Sequence, residues 1–168
     1  IANALYDAIG VRIHDAPLQE NLADGPSWQL ASYDVHALAR FELEARVLSS
    51  ERYRFDREAE LAPVDLALGW GPMSANAVID TLDISQGGRF FHWWSREPMI
   101  APSEISRHSA NMHMVPLDDD VRATLLDARR GHLVRITGWL IEARANDGWR
   151  WRSSLTRGDT GHGACELV

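Results

Sequence analysis

At 168 residues, the chain has the length of one domain able to bury a core against the entropy of ordering it. Its 45% apolar and 24% charged residues argue against a disordered or membrane-embedded bulk. Seventeen basic and 24 acidic side chains give a net charge of −7, so nucleic acid is disfavoured as a partner unless the positive charges cluster on one face.

All 17 basic residues are Arg, which excludes a Schiff base or a Lys nucleophile and fits a GC-rich bacterial genome. The single cysteine, Cys165, excludes an intrachain disulfide and a multi-cysteine metal cluster. No apolar run reaches the roughly 18 residues of a spanning helix. The first residue is Ile1 rather than Met, which leaves room for a removed leader or anchor outside this chain. Ala164 to Val168 ends within an apolar stretch, as if the natural protein continued.

Residues 1–38 read as a loosely packed N-terminal arm, with scattered apolar positions among Pro17, Gly25 and Pro26. A single compact domain is expected over 39–168. It begins with Phe41, Leu43, Ala45 and Val47 alternating with Glu42, Glu44 and Arg46, the period of a half-buried strand. Ser49 to Ala62 is charged and reads as a helical turn stopped by Pro63. Val64 to Met73 is apolar and ends in the turn Gly69-Trp70-Gly71-Pro72, after which Ser74 is placed to cap a short helix through Leu82. Asp65 within that apolar run requires a partner, most economically an Arg or backbone donors.

Gln86-Gly87-Gly88 reads as a turn into the aromatic strand from Arg89 to Trp94. Asn111 to Val115 is a short apolar stretch. Asp118 opens a helix with Val121, Leu125 and Leu126 inward, Arg129 and Arg130 near its C-terminal end and Gly131 as its stop. His132 to Arg144 is the next strand. Asn146-Asp147-Gly148 supplies hairpin turn chemistry for a return through Trp149 to Ser153, and a Gly-rich loop then leads to a last strand. These elements predict an α+β fold with a mostly antiparallel sheet of five or six strands, curled into a small OB-like barrel, and two or three helices.

Three constellations could carry chemistry. Asp159, His162 and Cys165 lie in one Gly-permissive loop and offer a thiolate nucleophile, its base and an orienting carboxylate. Residues three apart on a strand point to opposite faces, however, so His162 and Cys165 meet only if the loop folds back. His92, His108 and His113 could hold a zinc or copper ion, although the spacing of the last two suits neither a helix face nor a strand face. In the aromatic set Phe90, Phe91, Trp93, Trp94, Trp139, Trp149 and Trp151, the adjacent pairs Phe90-Phe91 and Trp93-Trp94 must place rings on both faces of their strand. One face is then core, and the other either lies under a helix or is a platform for stacking a peptide, sugar or base.

The stretches PVDLALGWGPMS at 63–74 and SSLTRGDTGHGACELV at 153–168, with ISQGGRFFHWW and SANMHMVP, resemble those of a bacterial protein family to which no activity is assigned. The resemblance covers roughly residues 40–168. It implies a bacterial origin and a single domain, and through an N-terminal hydrophobic anchor it implies the cell envelope or periplasm, with the cytoplasm as the alternative. It transfers no catalytic residue.

The function expected is therefore a non-enzymatic binding or interaction domain without a cofactor. It would take a protein, peptide or small-molecule partner on an aromatic face and the 153–163 loop, with Trp94, Trp149, Trp151 and Arg157 as candidate contacts. The alternatives are a hydrolase or transferase using Cys165 with His162 or His113, and metal binding by the histidines.

Overall fold

The computed structural model describes residues 16–156 and 166–168, with the side chains of 166 and 167 outside the description. The fold is organised by one long strand, β3 (Tyr33–Arg52). Along one edge β3 pairs antiparallel with β8 (Leu133–Arg144) from Asp34 to Arg46. Along its other edge it receives β2 (Ser27–Leu30), β1 (Leu18–Asn21) and β4 (Val64–Gly69) in succession. Beyond β4 lie β7 (Ser109–Met114) and the short parallel β10 (Glu166–Leu167), and beyond β8 lies β9 (Arg150–Arg152).

The alternation read over Phe41 to Val47 is present, with Phe41, Leu43, Ala45 and Val47 buried. The strand runs much further than that pattern because bulges at Leu38 and Leu48 shift its register. A bulge places two residues opposite one and so moves the buried set to the other face. Between the bulges Ala39, Phe41 and Leu43 pack with Ile136 and Leu140. Before Leu38, Tyr33 and Val35 pack with Ile141 and Ala143 on the opposite face. Beyond Leu48 a third cluster, with Ala67, Met73, Val78 and Ile105, continues on that second face.

Four short α-helices lie among the described residues: α1 (Glu58–Leu61), α2 (Asn76–Ile79), α3 (Pro102–Arg107) and α4 (Asp119–Asp127). Two or three were expected, since helices of one turn leave no periodic signature. Asp118 caps α4 by accepting from the Val121 N–H at 2.8 Å. The helix stops at Asp127, and Gly131, at φ 92°, serves instead the turn that starts β8, where its N–H donates to the Val47 carbonyl. Ser74 is not a cap. It is buried at the end of a 3-10 turn over Gly71–Ser74, its hydroxyl donating to the Gly71 carbonyl.

Two further expectations need revision. From Leu18 onward the segment read as an arm is part of the sheet, because β1 and β2 are too short to show a period of two. The sheet is also an open half-barrel rather than a closed OB-like barrel. It curls until Trp151 of β9 reaches within 4.9 Å of the His113 ring of β7, yet among the described residues no strand pairs with the outer edge of β8 before Glu142. The open side is a groove of about 560 Å³ between Trp28, Trp139 and Ile136 on one wall and Met114, Val121 and Leu125 on the other.

The C-terminal hairpin is as read. Gly148 takes a φ of 87°, and Ala145 and Trp149 close the turn with a 3.0 Å backbone hydrogen bond. The burial pattern of β3 predicts that Phe41→Ala lowers unfolding free energy by about 3–5 kcal/mol. Glu42→Ala, on the exposed face, should change it by no more than about 0.5 kcal/mol. Urea denaturation of the two variants measures both.

Candidate functional site

The second face of the sheet carries one polar island between its two apolar clusters. Asp65 on β4 and His113 on β7 are cross-strand partners, and both are fully buried. Asp65 Oδ1 lies 2.9 Å from His113 Nδ1, and Asp65 Oδ2 accepts from Asn111 Nδ2 at 3.3 Å. A buried carboxylate in such surroundings costs several kcal/mol unless a cation meets it.

That cation is Arg89. It sits at the tip of a separate two-stranded sheet formed by β5 (Asp83–Gly87) and β6 (Phe90–Trp94). The two residues of the tip, Gly88 and Arg89, have φ of 59° and 70°. Positive φ at both positions suits the twist of a hairpin. Gly adopts it freely, but for an Arg it costs about 1–2 kcal/mol.

The contacts of Arg89 offset that cost. One guanidinium nitrogen donates to Asp65 Oδ1 at 2.8 Å and to the Ala62 carbonyl at 2.9 Å, and the other donates to Asp56 at 2.8 Å. Its backbone N–H donates to the Tyr53 hydroxyl at 3.0 Å, and its carbonyl accepts from Asn111 Nδ2 at 3.1 Å. The guanidinium also lies 3.8 Å from the Tyr53 ring centroid, a cation–π contact. Burial raises the Tyr53 phenol above its ordinary pKa, so the hydroxyl stays protonated. Gln86 completes the island by donating to Asn111 Oδ1 at 2.7 Å.

Pinned at its tip, the hairpin lays one face on the third apolar cluster. Ile84, Phe91 and Trp93 pack inward against Val78, Ile79, Leu82 and Ile105. Phe90, His92 and Trp94 point outward, with Trp94 61% exposed. Rings therefore do occupy both faces of β6, and the outer set is exposed. A cavity of about 460 Å³ opens beside Trp94 and His92, with Asp80, Asp83, Ser85 and Arg130 supplying polar groups.

The other candidate residues are placed elsewhere. Trp149 packs on Tyr33 at 5.3 Å and on Trp151 at 6.1 Å, and Arg57 covers it at 4.8 Å. Trp151 contacts His113. This group is a half-buried aromatic cluster, separate from Trp94. Arg57 is fixed over it by two hydrogen bonds to Asp147, at 2.7 and 3.0 Å.

His92, His108 and His113 are not brought together. His92 neighbours Phe90, His108 ends α3 beside Glu104, and His113 faces Asp65. Among the described residues no group of three His, Cys, Asp or Glu is arranged to hold a metal ion. Arg157, Asp159, His162 and Cys165 lie outside the described residues.

The requirement that Asp65 have a partner pointed to this island, but nothing in the spacing named Arg89, 24 residues away. Tyr53, Gln86 and Asn111 carried no signal, since each joins from a different element. Comparison with models of protein families, with curated proteins and with solved structures finds no match to this chain.

Removing one partner of a buried ion pair strands the other. Arg89→Met should therefore cost about 3–5 kcal/mol, as should Asp65→Leu, while the double variant costs clearly less than the sum. A urea double-mutant cycle checks this, and strictly additive losses would show that the pair is not coupled.

Proposed function

We propose that the chain is a non-enzymatic binding domain whose contact surface is the outer face of the β5–β6 hairpin. The observation that carries this reading is the exposure of Trp94, 61%, on a strand whose inner rings are already committed to the core. An exposed indole costs solubility and contributes nothing to packing there. The strand that carries it is anchored at the hairpin tip through Arg89 and Asp65. A flat ring bordered by a polar cavity with both carboxylates and a guanidinium suits a partner that stacks one face and hydrogen-bonds at its edge, such as a sugar or an extended peptide.

Trp149 and Trp151 take a supporting part in this reading, and Arg157 and the 153–163 loop remain candidate contacts by sequence alone. No helix among the described residues is long and apolar enough to cross a membrane. The envelope location rests on the family resemblance.

Trp94→Ala should leave the urea midpoint nearly unchanged, within about 0.5 kcal/mol, and abolish retention on the oligosaccharide or peptide-display ligands that hold the wild type. If the variant unfolds, or binds as the wild type does, the surface is misassigned.

One observation favours a second reading. Asp65 Oδ1 lies 2.9 Å from His113 Nδ1, which sets a carboxylate beside an imidazole. Strand β10, which starts directly after Cys165 in sequence, pairs with β7 so that Leu167 is opposite His113. A Cys-dependent hydrolase or transferase using Cys165 with His113 would show rapid alkylation of the thiol by iodoacetamide below pH 7, slowed in His113→Gln. Alkylation following an ordinary thiol titration near pH 8.5 would count against it.

A further inference from the structure

The β8–β9 hairpin carries three guanidiniums on one carboxylate. Glu142 is only 1% exposed, although its strand position faces outward, because the guanidiniums close over it. Arg150 donates to Glu142 Oε2 at 2.5 Å and Arg152 donates to the same oxygen at 2.6 Å, while Arg144 donates to Oε1. Burial by itself would push the carboxyl pKa up, but the hydrogen bonds from Arg150, Arg152 and Arg144 outweigh it and bring it down to about 2. Glu142 is therefore ionised at neutral pH.

The three cations are not consumed by this contact. Arg144, Arg150 and Arg152 remain 64%, 53% and 43% exposed. Arg144 and Arg150 stand directly opposite each other across the strands, as do Glu142 and Arg152. Like charges in directly opposed positions destabilise a sheet, and a single Arg would neutralise Glu142. Three guanidiniums against Glu142, and against Asp34 opposite Arg144, leave a surplus of one positive charge on a chain whose net charge is −7.

Of the groups facing this array from β3, one carboxylate, Asp34, offsets Arg144. On β3, Asp34 lies opposite Arg144 and His36 opposite Glu142. Asp34 accepts from Gln29 of β2, and His36 Nδ1 is 2.8 Å from the Ser27 hydroxyl. Strand β3 is two spacings, about 10 Å, from β9, so Arg150 and Arg152 keep their surplus charge.

We propose that Arg144, Arg150 and Arg152, held by Glu142 beneath them, form a binding site for a phosphate group. Three guanidiniums present more N–H donors than the two oxygens of a carboxylate can accept, whereas the oxygens of a phosphate can meet them. Guanidinium forks also fit the oxygen geometry of phosphate. Because Glu142 fixes the forks before the ligand arrives, less side-chain entropy is lost on binding. The site stands on a different strand pair from Trp94 and does not depend on the reading of that surface.

Calorimetric titration of the full chain with inorganic phosphate, and with acetate at the same ionic strength, tests the proposal. Phosphate should bind at least about tenfold more tightly than acetate, and Arg150→Gln or Arg152→Gln should each weaken phosphate binding about tenfold, the loss expected for one charge-assisted hydrogen bond. On adding phosphate to wild-type protein, the Nε–Hε signals of these three arginines should shift in nitrogen-15 NMR spectra, a readout that needs no variant to fold.

Flotation with phosphatidylcholine vesicles containing phosphatidic acid separates the sources. Arg150-dependent flotation places the phosphate on a lipid headgroup, and phosphate binding without flotation places it on a soluble ligand. Equal affinity for phosphate and acetate, or unmoved arginine signals, would overturn the site.

Discussion

The ion pair between Arg89 and Asp65 is the contact on which the presentation of the outer surface depends. Asp65 is fully buried in β4, where an unpaired carboxylate could not persist as a charge. The partner comes from the tip of a hairpin that belongs to a separate sheet. One pair thus satisfies the core and docks the hairpin. The positive φ of Arg89 is a local strain retained because five polar contacts and an aromatic face converge on that residue. Since β-strands alternate, fixing the tip also fixes which rings of β6 face the core and which face solvent.

The same economy appears in the main sheet. A single strand of 20 residues serves three apolar clusters on two faces, and it can do so only because bulges at Leu38 and Leu48 exchange its buried side. The resulting curl brings β7 and β9, which are far apart in strand order, close enough for His113 and Trp151 to touch. The Tyr33–Trp149–Trp151 cluster and the polar island around Asp65 are thus neighbours across the interior of the half-barrel. The arginines of β9 point to the other side.

Much of the fold was legible where a pattern is local. The alternation over Phe41 to Val47, the cap at Asp118, the turn at Asn146 to Gly148 and the aromatic strand ending at Trp94 each rest on a few adjacent residues, and each is present. The helices of one turn, the short strands β1 and β2, and the bulges are not periodic over any useful window, so they could not be read. Closure into a barrel was overestimated for a related reason. Strand spacing shows that strands follow one another but not whether the first and last are close enough to bond.

By itself the sequence determined that the chain is an α+β domain with an excess of acidic charge, that β6 must carry rings on both faces, and that Asp65 must be met by a donor. These conclusions follow from composition, from the period of two and from the cost of burying a charge. Only the tertiary structure decided which donor meets Asp65, which face of β6 is exposed and that three arginines share Glu142. The first two outcomes depend on residues distant in sequence becoming adjacent when strands pair and the sheet curls, and the third on the hairpin register that brings residues 2, 8 and 10 positions from Glu142 around its carboxylate.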